Sequence, residues 1–137
     1  MRRGPLAFLT MADGLFPELT LLSPTERSCL SRYLRLLTET LREDLISVIV
    51  FGSVARAESW PQGMPIRSDL DLLVVTHSRV TEGTAQQLLD ATLPLYLEAG
   101  RQISPQFRTT DQLHANDERA VTFREHIARD GVAIFTS

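Results

Sequence analysis

Two apolar runs of strand length dominate the middle of the chain. Leu45 to Phe51 reads LISVIVF, and Leu70 to Val75 follows after a polar interval as LDLLVV. Both are too continuously apolar for a sheet face open to water, which predicts neighbouring central strands. Ahead of them, Leu30, Tyr33, Leu34, Leu37 and Leu41 recur at helical spacing, with Arg27, Arg35 and Arg42 largely outside the stripe. Ser23-Pro24-Thr25-Glu26 supplies an N-cap, a proline at the first helical position and a glutamate that reaches back to the cap, so a helix is expected from there to about Asp44. A second helical stretch runs from about Glu82 to Ala99. Pro94 is expected to kink or split it, and Gly100 to end it. Arg101 to Arg108 reads as a third strand that Pro105 confines to an edge or a bulge. Asp117 to Asp130 is a polar helix ended by Gly131, and VAIF closes the pattern as a short strand or docked tail. This order predicts an α/β domain: a small mixed β-sheet of about four strands flanked by helices.

Length limits the organisation further. A chain of 137 residues fits one domain with a self-sufficient core. Residues 1–22 open with two arginines and an apolar patch that Asp13 and Glu18 interrupt before a signal-peptide core can form. The expected division is therefore an N-terminal tail over 1–22 and the domain over 23–137. Nowhere do the ~20 consecutive apolar residues of a membrane span occur.

Charge and composition exclude some chemistry. A net charge of -3 argues against an extended grip on a nucleic-acid backbone, although a local arginine cluster can still bind a nucleotide. All 14 basic residues are arginine, so lysyl-nucleotide and Schiff-base intermediates and a Walker-type phosphate lysine are impossible. Cys29 stands alone, which fits a reduced, cytoplasmic protein, and it is expected in the core of the first helix. His77, His114 and His126 have no metal-ligand spacing with one another. With Arg119, Arg124 and Arg129, His126 is expected on a solvated helix face.

The remaining chemistry lies between the two apolar runs, in FGSVARAESWPQGMPIRSDLDLLVV. Strand alternation sends Asp69 and Asp71 to one side and Leu70 and Leu72 to the other. Two carboxylates on one face repel unless a cation neutralises them, and hard oxygen ligands at this spacing suit Mg²⁺ with waters and substrate phosphates. Gly52 permits a tight turn and close backbone approach, and Ser53 offers a hydroxyl. The amides of a short helix expected over Val54 to Ala57 can receive phosphate oxygens, and Arg56 can add a bidentate phosphate or base contact. Separately, each feature has an ordinary reading as a turn, a strand-end carboxylate or a surface cation. Their conjunction points to a nucleoside triphosphate bound through magnesium.

FGSVARAE followed by SDLDLLVV resembles the signature of the nucleotidyltransferase superfamily that includes DNA polymerase beta and kanamycin nucleotidyltransferase, most closely its minimal single-domain (MNT) branch. The resemblance covers roughly Asp44 to Phe135. It implies that Gly52 and Ser53 form the phosphate-loop pair, that Asp69 and Asp71 are the catalytic metal-binding carboxylates, and that Arg56 and Glu58 belong to the tail of the loop. Ala57 stands where the family usually has glycine. The insert WPQGMPIR lengthens the loop, with Trp60 available to cover the nucleotide. Relatives carry another carboxylate on the third strand, and GRQISPQF aligns Gln102 with it. An amide is a weaker, neutral ligand and cannot act as a general base, so Gln102 is expected to weaken catalysis and still to allow triphosphate binding. Asp111 and Glu98 are candidates to replace it from a shifted position. The implied reaction is attack of an acceptor hydroxyl on the α-phosphorus of ATP or another nucleoside triphosphate, with release of pyrophosphate and two Mg²⁺ ions at the reacting oxygens. Relatives of this size pair with a HEPN-type toxin as its antitoxin, in some cases by adding AMP to it. A catalytically weak module that neutralises a partner by contact, and an antibiotic nucleotidyltransferase, are the alternatives.

Overall fold

The computed structural model describes residues 16–57 and 68–137. Helix α1 (Pro24–Leu41) starts at the expected capping box: the Ser23 side chain accepts from the Glu26 amide, and Glu26 returns to the Ser23 amide. A single 3₁₀ turn (Arg42–Asp44) leads into β1 (Leu45–Phe51). Strand β2 (Leu70–Thr76) follows, then α2 (Glu82–Asp90), α3 (Thr92–Ala99), β3 (Ile103–Thr109), a one-turn helix α4 (Thr110–Leu113), α5 (Glu118–Asp130) and β4 (Val132–Thr136). The sheet order is β3-β2-β1-β4. Strand β1 is antiparallel to both β2 and β4, and β2 is parallel to β3. It is the small mixed four-stranded sheet the pattern predicts.

Each face of the sheet has its own cover. Val48, Val50, Leu70, Leu72, Val74 and Ile103 join Leu30, Tyr33, Leu34 and Leu37 of α1 and Leu88 of α2 in one buried cluster. On the opposite face Ile49 and Leu73 lie under α5, whose Phe123 packs edge-on against Phe51 with ring centroids 5.6 Å apart. Cys29 is buried as expected, and burial pushes its thiol up from the ordinary value.

Four expectations need correction. The tail predicted over 1–22 does not hold for residues 16–22, because Phe16, Leu19 and Leu22 belong to the buried cluster. Arg27 holds this segment by donating to the carbonyls of Phe16, Leu19 and Leu22 at 2.7, 2.7 and 3.1 Å. The stretch over Glu82 to Ala99 does divide, but at Ala91 rather than Pro94, which sits in the first turn of α3 where its missing amide is harmless. The short helix expected over Val54 to Ala57 is a single turn, closed by Arg56 N–H on the Gly52 carbonyl and Ala57 N–H on the Val54 carbonyl, each at 3.1 Å. Strand β3 begins at Ile103, so Gln102 precedes it. Pro105 is tolerated because β3 is an edge strand. Residues 1–15, Glu58, Trp60 and the insert WPQGMPIR lie outside the described residues.

Candidate active site

The site is built where the end of β1 meets the beginning of β2. Phe51 is the register partner of Asp71, so the chain leaves β1 directly beside that carboxylate. Gly52 turns it there with φ of +79°, a conformation that favours glycine. A Cβ at Gly52 would lie 2.4 Å from Oδ2 of Asp71. The glycine is therefore required twice, by its backbone conformation and by the carboxylate seated against it. Ser53, half-buried, and Val54, fully buried, continue the turn.

Asp69 precedes β2 by one residue and is exposed, whereas Asp71, within the strand, is half-buried. Burial pushes the Asp71 carboxyl up from its ordinary value. The charge of Asp69 adds to the rise, and that of Arg56 opposes it. Asp71 is thus within electrostatic reach of a second carboxylate and of an arginine.

The third strand meets this pair through Ser104, not through Gln102. Ser104 is the register partner of Asp71, and its hydroxyl donates to Oδ2 of Asp69 at 2.8 Å. The amide of Gln102 is turned toward α3, donating to Oγ1 of Thr92 at 3.0 Å and to the Ile103 carbonyl at 2.8 Å. The suggested replacements stand apart from the pair. Glu98 is paired with Arg32 across α3 and α1, and Asp111 lies in α4, beyond the far end of β3. Among the described residues no group of three or more His, Cys, Asp or Glu side chains could hold a metal ion. His77, His114 and His126 are all exposed.

Two residues that carried no site signal in the sequence brace the pair. Arg101 donates through Nε to Oε2 of Glu26 and through Nη1 to the carbonyl of Ser68, both at 2.8 Å. Both partners of this ion pair are nearly sealed, with side-chain exposures of 10% and 2%. Glu26 therefore serves the cap of α1 and the segment leading into Asp69 at once. Its sequence context revealed the first role alone. Ser104 could have been found by carrying strand alternation one step further along β3, from Gln102 to the residue that the β2 register brings beside Asp71.

A cleft of about 850 Å³ lies on the same sheet face, between β3, α4 and α5. Gln106, two residues beyond Ser104, and Phe123, which packs on Phe51, are in its wall, and Arg108, Arg119 and His126 line it further out.

No protein-family model matches the sequence, and comparison with curated proteins finds no match. Solved structures do match. A crystal structure of a mutant of the toxin–antitoxin MntA-HpeT superposes with a TM-score of 0.50 at 12% identity, covering 77% of this chain and 71% of that one. The chain has the nucleotidyltransferase fold. The resemblance carried by its two motifs thus holds at the level of the fold. Two further structures match with lower TM-scores. The tri-AMPylated HEPN toxin of Shewanella oneidensis in complex with its MNT antitoxin gives 0.49 at 12% identity, covering 82% of this chain and 73% of that one. A protein assigned as a minimal nucleotidyltransferase gives 0.46 at 26% identity, covering 78% and 93%.

Proposed function

We propose that this protein is a magnesium-dependent minimal nucleotidyltransferase that transfers a nucleoside monophosphate, AMP in the first instance, to a hydroxyl of a protein partner, in the manner of an antitoxin acting on a HEPN-type toxin. The observation that carries the proposal is the packing of the Asp71 carboxylate against Gly52, with Asp69 beside it. A repelling pair kept on one face next to a turn without side-chain bulk is a poor structural element and a good binding one.

The donor set fits Mg²⁺. Asp69 and Asp71 would hold it, with Ser53 and the backbone amides of the Gly52 turn on the phosphate side and Arg56 as a counter-charge. When bound, the ion would neutralise charge on the triphosphate and favour departure of pyrophosphate. The chain's own residues do the rest. Gly52 lets the backbone approach the phosphates, Ser104 holds Asp69 in one orientation, and the cleft between β3 and α5 offers room for the acceptor. The acceptor oxygen bonds to the α-phosphorus as the bond to the bridging oxygen breaks, and the hydroxyl proton leaves to water. The MntA-HpeT mutant cited above carries two aspartate-to-glutamate changes two positions apart, the spacing of Asp69 and Asp71, in a toxin–antitoxin.

Ser104 also favours a second reading, in which the chain binds nucleotide and neutralises its partner by contact. The β3 side chain that bonds to the pair is a neutral hydroxyl, which offers the acceptor no base. Isothermal titration with ATP, with and without Mg²⁺, tests what the two readings share. We expect Mg²⁺-dependent binding that is lost in Asp69→Asn with Asp71→Asn. Undiminished binding by that double variant would remove both readings. A labelled-ATP transfer assay against the co-expressed partner then separates them.

A further inference from the structure

Helix α3 is apolar nearly all round, yet of its residues only Thr92 is fully buried. A helix of that composition is ordinarily covered on every side. Its inner side is accounted for, since Ala91 and Leu95 pack against the core together with buried Leu88 of α2. The outer side is not. The four exposed large apolar side chains among the described residues are Leu89, Leu93, Tyr96 and Leu97, at 41, 57, 42 and 74% exposure. All four fall on this one segment at spacings i, i+4, i+7 and i+8, which is a single helical stripe. Ala91 keeps right-handed helical dihedrals (φ -66°, ψ -14°), so the stripe runs unbroken from α2 into α3.

The charges carried by the segment itself are of one sign. Residues 82–100 contain Glu82, Asp90 and Glu98 and no Arg, Lys or His. Arg32 of α1 answers Glu98, while among the described residues no cation pairs with Glu82 or Asp90. A second copy of this chain laid on the stripe would bring acid against acid. A partner with basic flanks would instead meet opposite charge.

We infer that the α2–α3 stripe is a docking surface for a partner protein, and that it receives an amphipathic helix whose apolar ridge is flanked by Arg or Lys. The inference rests on the proposed function only in taking the partner to be a protein. Leu93 and Leu97 are the central anchors, with Tyr96 adding a hydroxyl-bearing ring at the rim. Helix α3 is tied to α1 by the Glu98–Arg32 pair, so the stripe lies on the α1 side of the sheet, and Gly100 and the Arg101 brace connect it along the chain to the segment that precedes Asp69.

A photo-crosslinking residue placed at Leu97 of the full chain, expressed in the native host, tests this, with the same residue at exposed Arg35 of α1 as control. The expected adduct is on a segment of another protein with apolar residues at helical spacing and Arg or Lys at its flanks. Leu93→Glu should reduce it at least about tenfold, the loss that follows removal of one buried apolar anchor. An adduct on residues 1–15 of the same chain, on a second copy, or on an acidic segment would overturn the inference, as would no adduct above the control. Asp69→Asn with Asp71→Asn should leave the adduct unchanged. Loss of nucleotide binding and loss of docking are therefore read separately.

Discussion

At Gly52 one missing side chain makes room for a carboxylate. Gly52→Ala would set a methyl group within 2.4 Å of Oδ2 of Asp71 and impose φ of +79° on a residue that resists it. We expect a stability loss of about 1–2 kcal/mol by thermal denaturation, and a larger fall in Mg²⁺-dependent nucleotide affinity as the carboxylate is displaced. Ala57 has the same backbone problem: its φ is +58°. The sequence marks this position, since the resembling family usually has glycine there, and the structure gives the reason. Ala57→Gly should leave stability unchanged or raise it by up to about 1 kcal/mol. Asp71 gives a pH-dependent test. Its raised folded carboxyl value means that protonation favours the native state. That contribution is fully present below the ordinary unfolded value and is lost as pH rises through the raised one. Asp71→Asn should therefore melt higher than the parent at pH 7, by roughly 2 °C for a charge so partly exposed, with the difference closing toward pH 3. A constant difference across that range would mean that packing, not charge, separates the two. The sequence reading places Gln102 at the pair, where the structure has Ser104 instead. Both lie on one alternation of the third segment, and the hydrogen bonds of Thr92 and Asp69 decide between them.

Elements were legible where a period was long or a cap explicit. The continuous apolar runs fixed β1 and β2 to within a residue, the Ser23 capping box fixed α1, and Asp117 and Gly131 bracketed α5. What failed was local. Val54 to Ala57 is too short for a periodic signal, α4 is one turn held by its own Thr109–Gln112 capping box, and Pro94 acts as a first-turn residue rather than a breaker. The Arg101–Glu26 brace between α1 and the start of β2 has no signal at all, because its partners are 75 residues apart. It makes a prediction at this scale. Glu26→Gln keeps the bond from Arg101 to Ser68 but unpairs the buried ion pair, so it should lower the melting temperature while leaving Mg²⁺-dependent nucleotide affinity near the parent value. Arg101→Lys keeps a charge for Glu26 but has a single ammonium in place of two directed donors, so it should cost roughly tenfold in affinity, as lost outer-shell support does at metal sites. Equal affinity in both variants would make the brace purely structural.

The whole molecule is unequally packed about its sheet. The α1 face holds the main apolar cluster, with Leu30, Tyr33, Leu34 and Leu37 of the helix fully buried. Across the sheet α5 covers the other face without burying a single residue completely. The polar character of Asp117 to Asp130 is the sequence's one sign of this asymmetry. Only the sheet order β3-β2-β1-β4, which the sequence left open, shows how much surface one helix must cover. The site lies on the thinly covered side, since Phe51, opposite Asp71, is held from above by Phe123 of α5. Burial is what raises the free energy of local opening, so α5 should open well below the global unfolding energy, and α1 with β1 and β2 only near it. Native-state hydrogen exchange would read this directly: α5 amides should exchange at least about tenfold faster than those of α1. Gly131 sharpens the test. A Cβ there would lie 2.6 Å from the Ile127 carbonyl oxygen and 2.8 Å from Cγ2 of Ile49, so Gly131→Ala must push the last turn of α5 away from β1. The variant should accelerate exchange in α5 selectively and loosen the ring contact over Phe51, leaving protection in α1 unchanged. Equal protection of α5 and α1 in the parent, or a variant that lowers both together, would show that the two faces unfold as one unit and that the site is framed as rigidly from above as from below.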